Sequence, residues 1–315
     1  MKAQVIVILL ILSPFCFSQG VEEYARGPLA GFTETPSAGG FSIATSFIRA
    51  TATSIFDQDG ESITLNKLED GDADPEVYSS VLSVTGAYAI TSRFSVSLTV
   101  PFVISQGVNF DNVASGWTGY YEDLAGETGI GDINLNGSFV FVSNNIIRSN
   151  IIVGFKAATG GDPYDIDDDA FSSTGTGQHD IGVGASLDFA PSGIILLSAG
   201  ASYTMTLEGS YSSGGNSWDE NPGDVLSFGG RFSICPIDFM AIGIEAYYAI
   251  AGEHEFDGES IDNTEKYTFS FAPLIGFQMT SGSTIINLNG GYLLNLAGQN
   301  VFKRNAFELG AQIYF

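Results

Sequence analysis

Residues 307–315, FELGAQIYF, decide the architecture. Phe307, Leu309, Ala311, Ile313 and Phe315 fall on one side of an extended chain, and Glu308, Gly310, Gln312 and Tyr314 on the other. Side chains alternate across a strand with a period of two, so this is a strand with one apolar and one polar face. The same alternation recurs upstream. Phe94, Val96, Leu98, Val100 and Phe102 alternate with Ser95, Ser97, Thr99 and Pro101, and Ile181, Val183, Ala185, Leu187 and Phe189 with Gly182, Gly184, Ser186 and Asp188. Twelve such segments occupy about 41–55, 76–91, 93–106, 129–142, 147–159, 178–190, 193–208, 222–235, 238–252, 266–280, 283–296 and 300–315.

The connections alternate in length. Short ones lie near Thr91–Ser92, Ser143–Asn145, Pro191–Ser192, Pro236–Ile237 and Ser281–Gly282. Long ones occupy about 56–75, 107–128, 160–177, 209–221 and 253–265. Strands with an apolar face, short turns at one end and long loops at the other predict an all-β fold, an antiparallel transmembrane β-barrel of about twelve strands. In lipid every backbone polar group must pair within the protein, so the last strand must close on the first. An even strand count puts both chain ends on the short-turn, periplasmic side and the long acidic loops outside the cell. Phe315, with apolar residues at alternate positions before it, fits the terminal signature that barrel assembly machinery reads. Pro101 and Pro273 fall inside expected strands, where each removes a ladder hydrogen bond, and bulges would reconcile them. The outward face of the first strand, Phe41–Ile55, is ambiguous.

Composition narrows the function classes. The 315 residues are 44% hydrophobic and only 15% charged, which argues against disorder. Acids outnumber bases 36 to 11, a net charge of −25, which argues against nucleic-acid binding. Beyond the N-terminus there is no run of eighteen apolar residues, so spanning helices are not expected.

Lys2, the apolar run Val5–Leu12 and then Ser13-Pro14-Phe15 read as a secretory signal peptide over residues 1–18, cleaved after Ser18. A lipoprotein alternative acylates Cys16, but bulky Phe15 precedes it. The mature chain keeps one cysteine, Cys235, read as an idle thiol beside a turn. Residues 19–40 lack the strand period, and Val21–Gly40 carries Glu22, Glu23, Arg26, Pro28 and Pro36. This segment either plugs the lumen or trails in the periplasm, and the barrel follows over 41–315.

Taken with their flanking residues, as 56–76, 107–128, 159–178, 208–224 and 252–265, the long connections hold 27 of the 36 acids and, among bases, only Lys67. Solvated acidic loops keep a surface soluble and bridge to lipopolysaccharide headgroups through divalent cations. The sharper alternative is cation selection at the entrance. Asp57, Asp59 and Glu61 in one loop, and Asp165, Asp167, Asp168 and Asp169 in another, are candidate calcium ligands, since calcium takes clustered carboxylate oxygens. Neither loop fits the EF-hand pattern. No other cofactor is expected.

Parity assigns Lys156, Glu208, Arg231, Glu245 and Glu308 to the lumen. Lys or Arg facing midplane lipid costs ~2–4 kcal/mol, so a watery or mutually paired interior suits them better. Pairing across a narrow barrel is one role and solute selectivity the other. Of the two histidines, His179 falls on the lipid-facing row with Ile181, and His254 sits in an acidic loop as an exposed residue or a weak metal candidate. With no G-x-S-x-G and no phosphate loop, no enzyme is indicated. Trp117, Tyr120, Tyr121 and Trp218 either pack the loops together or stack on a ligand.

Five stretches carry a resemblance: PLAGFTETPSAGG (28–40), VSLTVPF (96–102), GIGDINLN (129–136), KAATGGD (156–162) and GTGQHDIGVGASL (175–187). In order and spacing they resemble an outer-membrane protein family named for the meta-pathway of phenol degradation. The family pattern has Pro where Ala158 stands and Ser where His179 stands. The resemblance implies an antiparallel outer-membrane barrel and passage of small, often aromatic or hydrophobic, compounds, with no catalytic residues to carry over. The expected function is channel-mediated or facilitated uptake of small solutes. The alternative is a closed structural or surface-interaction barrel with cation-binding loops.

Overall fold

The structure is a computed structural model describing residues 38–65, 74–111, 124–144, 146–161, 173–192, 194–213, 216–237, 239–282 and 284–315. The expected signal peptide and nearly all of the 19–40 segment lie outside the described residues.

In chain order the strands are β1 (Phe41–Phe56), β2 (Ser62–Thr64), β3 (Asp74–Ala89), β4 (Phe94–Asp111), β5 (Leu124–Ala125), β6 (Gly129–Ile130), β7 (Ile133–Ser143), β8 (Ile147–Ala157), β9 (Asp180–Ser192) and β10 (Ile195–Thr206). There follow β11 (Gly209–Ser213), β12 (Asn216–Asn221), β13 (Val225–Ile237), β14 (Met240–Ala251), β15 (His254–Phe256), β16 (Glu259–Ile261), β17 (Lys266–Ser281), β18 (Thr284–Gln299) and β19 (Val301–Tyr314). Twelve of them, β1, β3, β4, β7, β8, β9, β10, β13, β14, β17, β18 and β19, pair antiparallel in sequence order, and β19 closes on β1. The closing register runs from Ser42 opposite Tyr314 to Phe56 opposite Val301. At its foot Phe315 N–H donates to the Phe41 carbonyl at 2.9 Å. Closure leaves the wall without an open edge.

The alternation read from sequence becomes the two faces of this wall. Phe307, Leu309, Val183, Leu187, Phe228, Phe232, Ile242 and Ile244 are all exposed outward. Their sequence neighbours Arg231, Ser233 and Glu245 are buried within. An apolar exterior over a polar interior inverts a water-soluble protein and suits a lipid surround. The ambiguous face of β1 resolves in the same way, with Phe41 and Ile43 exposed outward and Ser42 buried.

The short turns share one chemistry. Thr91 Oγ1 accepts from the N–H of Phe94, Asn144 Oδ1 from those of Ile146 and Ile147, and Ser192 Oγ from that of Ile195. Short polar side chains that bond their own backbone stabilise such reversals.

Neither proline sits in a bulge of its own strand. Pro101 lies where the β4–β7 ladder stops at Thr99–Asn134, and the neighbouring chain spends an extra residue before β6 pairs at Phe102–Ile130. The bulge in β4 comes later, beside Val103. Pro273 keeps its place opposite Ile244, while the β17–β18 pairing skips from Phe271 to Leu274 without changing register. A missing N–H is absorbed by interrupting one neighbour ladder.

Two long connections expected to be loops together build a sheet of their own. β11, β12, β15 and β16 form a separate four-stranded sheet beyond the barrel. Trp218 stacks between Tyr211, 6.4 Å away, and Phe256, 6.2 Å away, so this loop aromatic packs the sheet together. Trp117, Tyr120 and Tyr121 lie outside the described residues.

Candidate functional site

The barrel interior has two differently built regions. The first is a cavity of about 280 Å³ within the wall. β1, β3 and β4 line it with Ala44, Ser46, Ser83, Thr85 and Thr99, and β18 and β19 with Asn289, Glu308 and Gln312. β13 and β14 add Arg231 and Glu245. These are register partners on adjacent strands, and the Arg231 Nη2 to Glu245 Oε2 distance is 2.7 Å, with both side chains buried. Arg231 Nε donates to the same oxygen at 3.1 Å. Short side chains elsewhere satisfy one another. Thr85 and Thr99 hydroxyls lie 2.9 Å apart, those of Ser202 and Ser227 2.6 Å apart, and Ser270 Oγ donates to Asn295 Oδ1 at 2.8 Å. Small residues thus leave volume, while cross-strand pairing removes most of the cost of buried polar groups.

The second region is the mouth at the long-loop end. On one side Ala52, Ile55, Leu65, Val108 and Phe302 form an apolar cluster. On the other, residues 173–178, leading into β9, run buried along the inner wall. We call this segment the strap. Asp132 is its anchor. Oδ2 accepts from Thr176 N–H at 2.9 Å and from Thr176 Oγ1 at 2.8 Å, and Oδ1 accepts from Gly160 N–H at 3.0 Å. Lys156 Nζ donates to Thr176 Oγ1 at 2.9 Å and lies 2.7 Å from Asp180 and 3.9 Å from Asp132. Gln106 Nε2 donates to the Ser173 carbonyl at 2.7 Å. From the outer sheet, Tyr211 Oη donates to the Thr176 carbonyl at 3.0 Å, and Gln178 Nε2 donates to the Glu220 carbonyl at 3.1 Å. The backbone passes so close that a Cβ on Gly160 would stand 2.5 Å from the Gly175 Cα. Only two glycines allow that crossing.

Three of the resemblance stretches, 129–136, 156–162 and 175–187, therefore meet at this anchor through Asp132, Lys156, Gly160 and Thr176. Sequence reading placed Lys156 inside but missed its partners Asp132 and Asp180. The parity of β7 and β9 contained the signal, since Asp132 and Asp180 share the inward rows of Asn134 and Gly182. The same parity turns Arg148, Asp188 and Arg304 inward, with Arg148 the register partner of Asp188.

The other expected site residues fall as follows. Arg231, Glu245 and Glu308 line one cavity. Glu208 lies beyond the end of β10 and is exposed, because the strand stops at Thr206 and its parity with it. Asp57 Oδ1 accepts from the N–H groups of Asp59 and Glu61, at 3.0 and 2.8 Å, so it organises its own turn. Among the described residues no three His, Cys, Asp or Glu side chains converge to hold a metal. Asp165, Asp167, Asp168 and Asp169 lie outside the described residues. Cys235 is a free, partly buried thiol near the β13–β14 turn.

His179 is exposed on the outer wall as expected, stacked on Phe155 at 5.6 Å, and its Nδ1 accepts from Ala158 N–H at 3.2 Å. His254 is not an exposed loop residue. It is 5% exposed, and its Nε2 lies 2.8 Å from Glu220 Oε1, because the outer sheet folds over it. Sequence reading took that connection for an open loop.

No family model matches the chain, and no curated protein does. Among solved structures it is similar to the COG4313 outer membrane channel from Pseudomonas putida F1. The TM-score is 0.68 at 15% identity, covering 93% of this chain and 98% of that one. The translocator domain of the autotransporter NalP from Neisseria meningitidis gives TM-score 0.47 at 11% identity, covering 95% and 96%. The TodX monoaromatic hydrocarbon channel gives 0.42 at 9% identity, covering 91% and 92%. The first supports the barrel architecture; the other two are too distant to carry an argument.

Proposed function

We propose that the protein is an outer-membrane channel for passive or facilitated entry of small hydrophilic solutes. The observation that carries this reading is a cavity inside a closed barrel with an apolar outer face, its wall set with Ser, Thr, Asn and Gln side chains between apolar ones such as Val81, Ala272 and Leu274. The lining chemistry selects the solute. Its serine, threonine, asparagine and glutamine side chains offer both donors and acceptors. Its one ring, Tyr292, is a register partner of the exposed Phe307 and so belongs to the outward row. The cavity wall therefore offers no inward ring to stack on the aromatic compounds that the family resemblance implies, and its apolar contacts are the aliphatic ones of Val81, Ala272 and Leu274. In this reading the strap narrows the extracellular end, and Arg231 and Glu245 shape the passage as a satisfied pair.

The packed mouth favours one rival, a closed barrel that displays acidic loops to ions or other cells. Single-channel recording of the refolded protein in a planar bilayer, in KCl and then in the salt of a bulky cation, separates the two. The channel reading predicts stable steps that shrink with the bulky cation. Silence from a folded, heat-modifiable barrel would transfer the assignment to the rival.

A further inference from the structure

The outer wall is apolar to the long-loop ends of most strands. Ile181, Met205, Leu226, Ile250 and Leu296 are all exposed there. The closing seam between β1 and β19 differs. Its lower outward positions are Phe41, Ile43, Thr45 and Phe47 on β1 and Leu309, Ala311, Ile313 and Phe315 on β19 or just beyond it, apolar but for Thr45. Above them come Arg49, Thr51 and Thr53 on β1, and Asn305 and Lys303 on β19. Arg49, Thr53, Asn305 and Lys303 are exposed. Arg49 is the register partner of Phe307, and Thr51 of Asn305, so the two strands contribute to one continuous strip.

The height of the strip is set by strand geometry. Arg49 stands eight residues above Phe41, which is roughly 20 Å for a strand tilted as barrel strands are. An outer-membrane barrel carries an apolar band about 25 Å tall, so the Arg49 backbone lies about 5 Å below the upper edge of that band. Both side chains are long enough to extend further out of the hydrocarbon. Lys303 leans over the Phe56 ring, 5.6 Å from its centroid. Among the described residues no carboxylate pairs with Arg49 or Lys303. Glu76, on β3, is an outward acid by parity, since its neighbour Val77 packs inward against the apolar cluster. Asp57, above the strip, is engaged by its own turn.

We propose that this strip binds the phosphate of a phosphorylated lipid headgroup in the outer leaflet, and that the bound lipid clips the first strand to the last. Two unpaired cations beside hydroxyl and amide donors match a phosphosugar headgroup, and a guanidinium binds phosphate through paired donors. In a chain of net charge −25 these two bases stand on the outer wall toward the level where the lipid itself is anionic. The inference rests on the membrane placement and is independent of solute passage.

The test reconstitutes the full-length protein in phosphatidylcholine vesicles with and without bisphosphorylated lipid A, then counts retained lipid by native mass spectrometry. Wild type should retain lipid A, and R49A/K303A should retain it roughly thirtyfold less, in line with about 1 kcal/mol for each of two surface bases. Arg93→Ala, at an exposed turn on the opposite end, should match wild type, and R49K should keep most of the retention. Equal retention by R49A/K303A would overturn the proposal. So would displacement by millimolar inorganic phosphate, which would reveal a site for free anions. Equal gel mobility with and without heating would instead report that the variant had not folded as a barrel; R49Q/K303Q, of similar bulk, then carries the comparison.

Discussion

The mouth and the cavity are walled by similar residue types, yet one is filled and the other open. In the cavity, short side chains on adjacent strands bond each other and stop, so the described residues leave the barrel centre open. At the mouth, Asp132 reaches a backbone that is not part of the wall. Its carboxylate takes three donors from Thr176 and Gly160 and sits beside Lys156. The difference is therefore one of partner: wall to wall leaves space, wall to inserted strap removes it.

Several changes should break this contrast. The largest effect should come from Lys156→Met. It removes the cation between two buried carboxylates, Asp132 and Asp180, and should cost about 3–5 kcal/mol, as orphaned buried charges do. Urea unfolding followed by loss of heat-modifiability would read it. A smaller loss would mean the pair is wetter than its burial suggests. Arg231→Met should cost nearly as much, because Glu245 is left buried and alone. R231M/E245M should recover most of that loss, since apolar replacement of a whole buried pair is often neutral. A double variant as unstable as the single would mean the pair does more than satisfy itself. Gly160→Ala should come next, at about 1–3 kcal/mol, because the added methyl must push the strap from the wall. It should also raise conductance. Trp218→Ala should move the barrel least, by about 1 kcal/mol through lost ring contacts, and should chiefly increase proteolysis of the outer sheet.

The wall was legible in the sequence because each of its rules is local. A period of two marks every barrel strand, and the twelve expected segments match the twelve observed strands to within a few residues. Threonine, asparagine or serine marks several of the short turns. The strap was not legible in this way. Ser173 and Thr176 lie in a connection with no period, and their partners Gln106 and Asp132 are far away in sequence. Parity placed Lys156, Arg231, Glu245 and Glu308 on the inward rows, but a row does not say who pairs with whom across a loop. Glu208 shows the limit of parity, which fails two residues past the end of a strand. His254 was misjudged because the outer sheet arises from short segments, β12, β15 and β16, whose alternation is too brief to read. The resemblance stretches were the best clue to the anchor, since three of them contribute to it.

The central claim is that a strap latched by Asp132 and Lys156 closes the long-loop end over a hydrophilic passage. Single-channel conductance of wild type beside D132N/K156M/D180N tests it most directly. The triple variant removes the latch without leaving an unpaired charge behind. The account predicts small steps for wild type and clearly larger ones for the variant, with glycerol entering variant liposomes faster. Identical conductance in two folded, heat-modifiable proteins would contradict it.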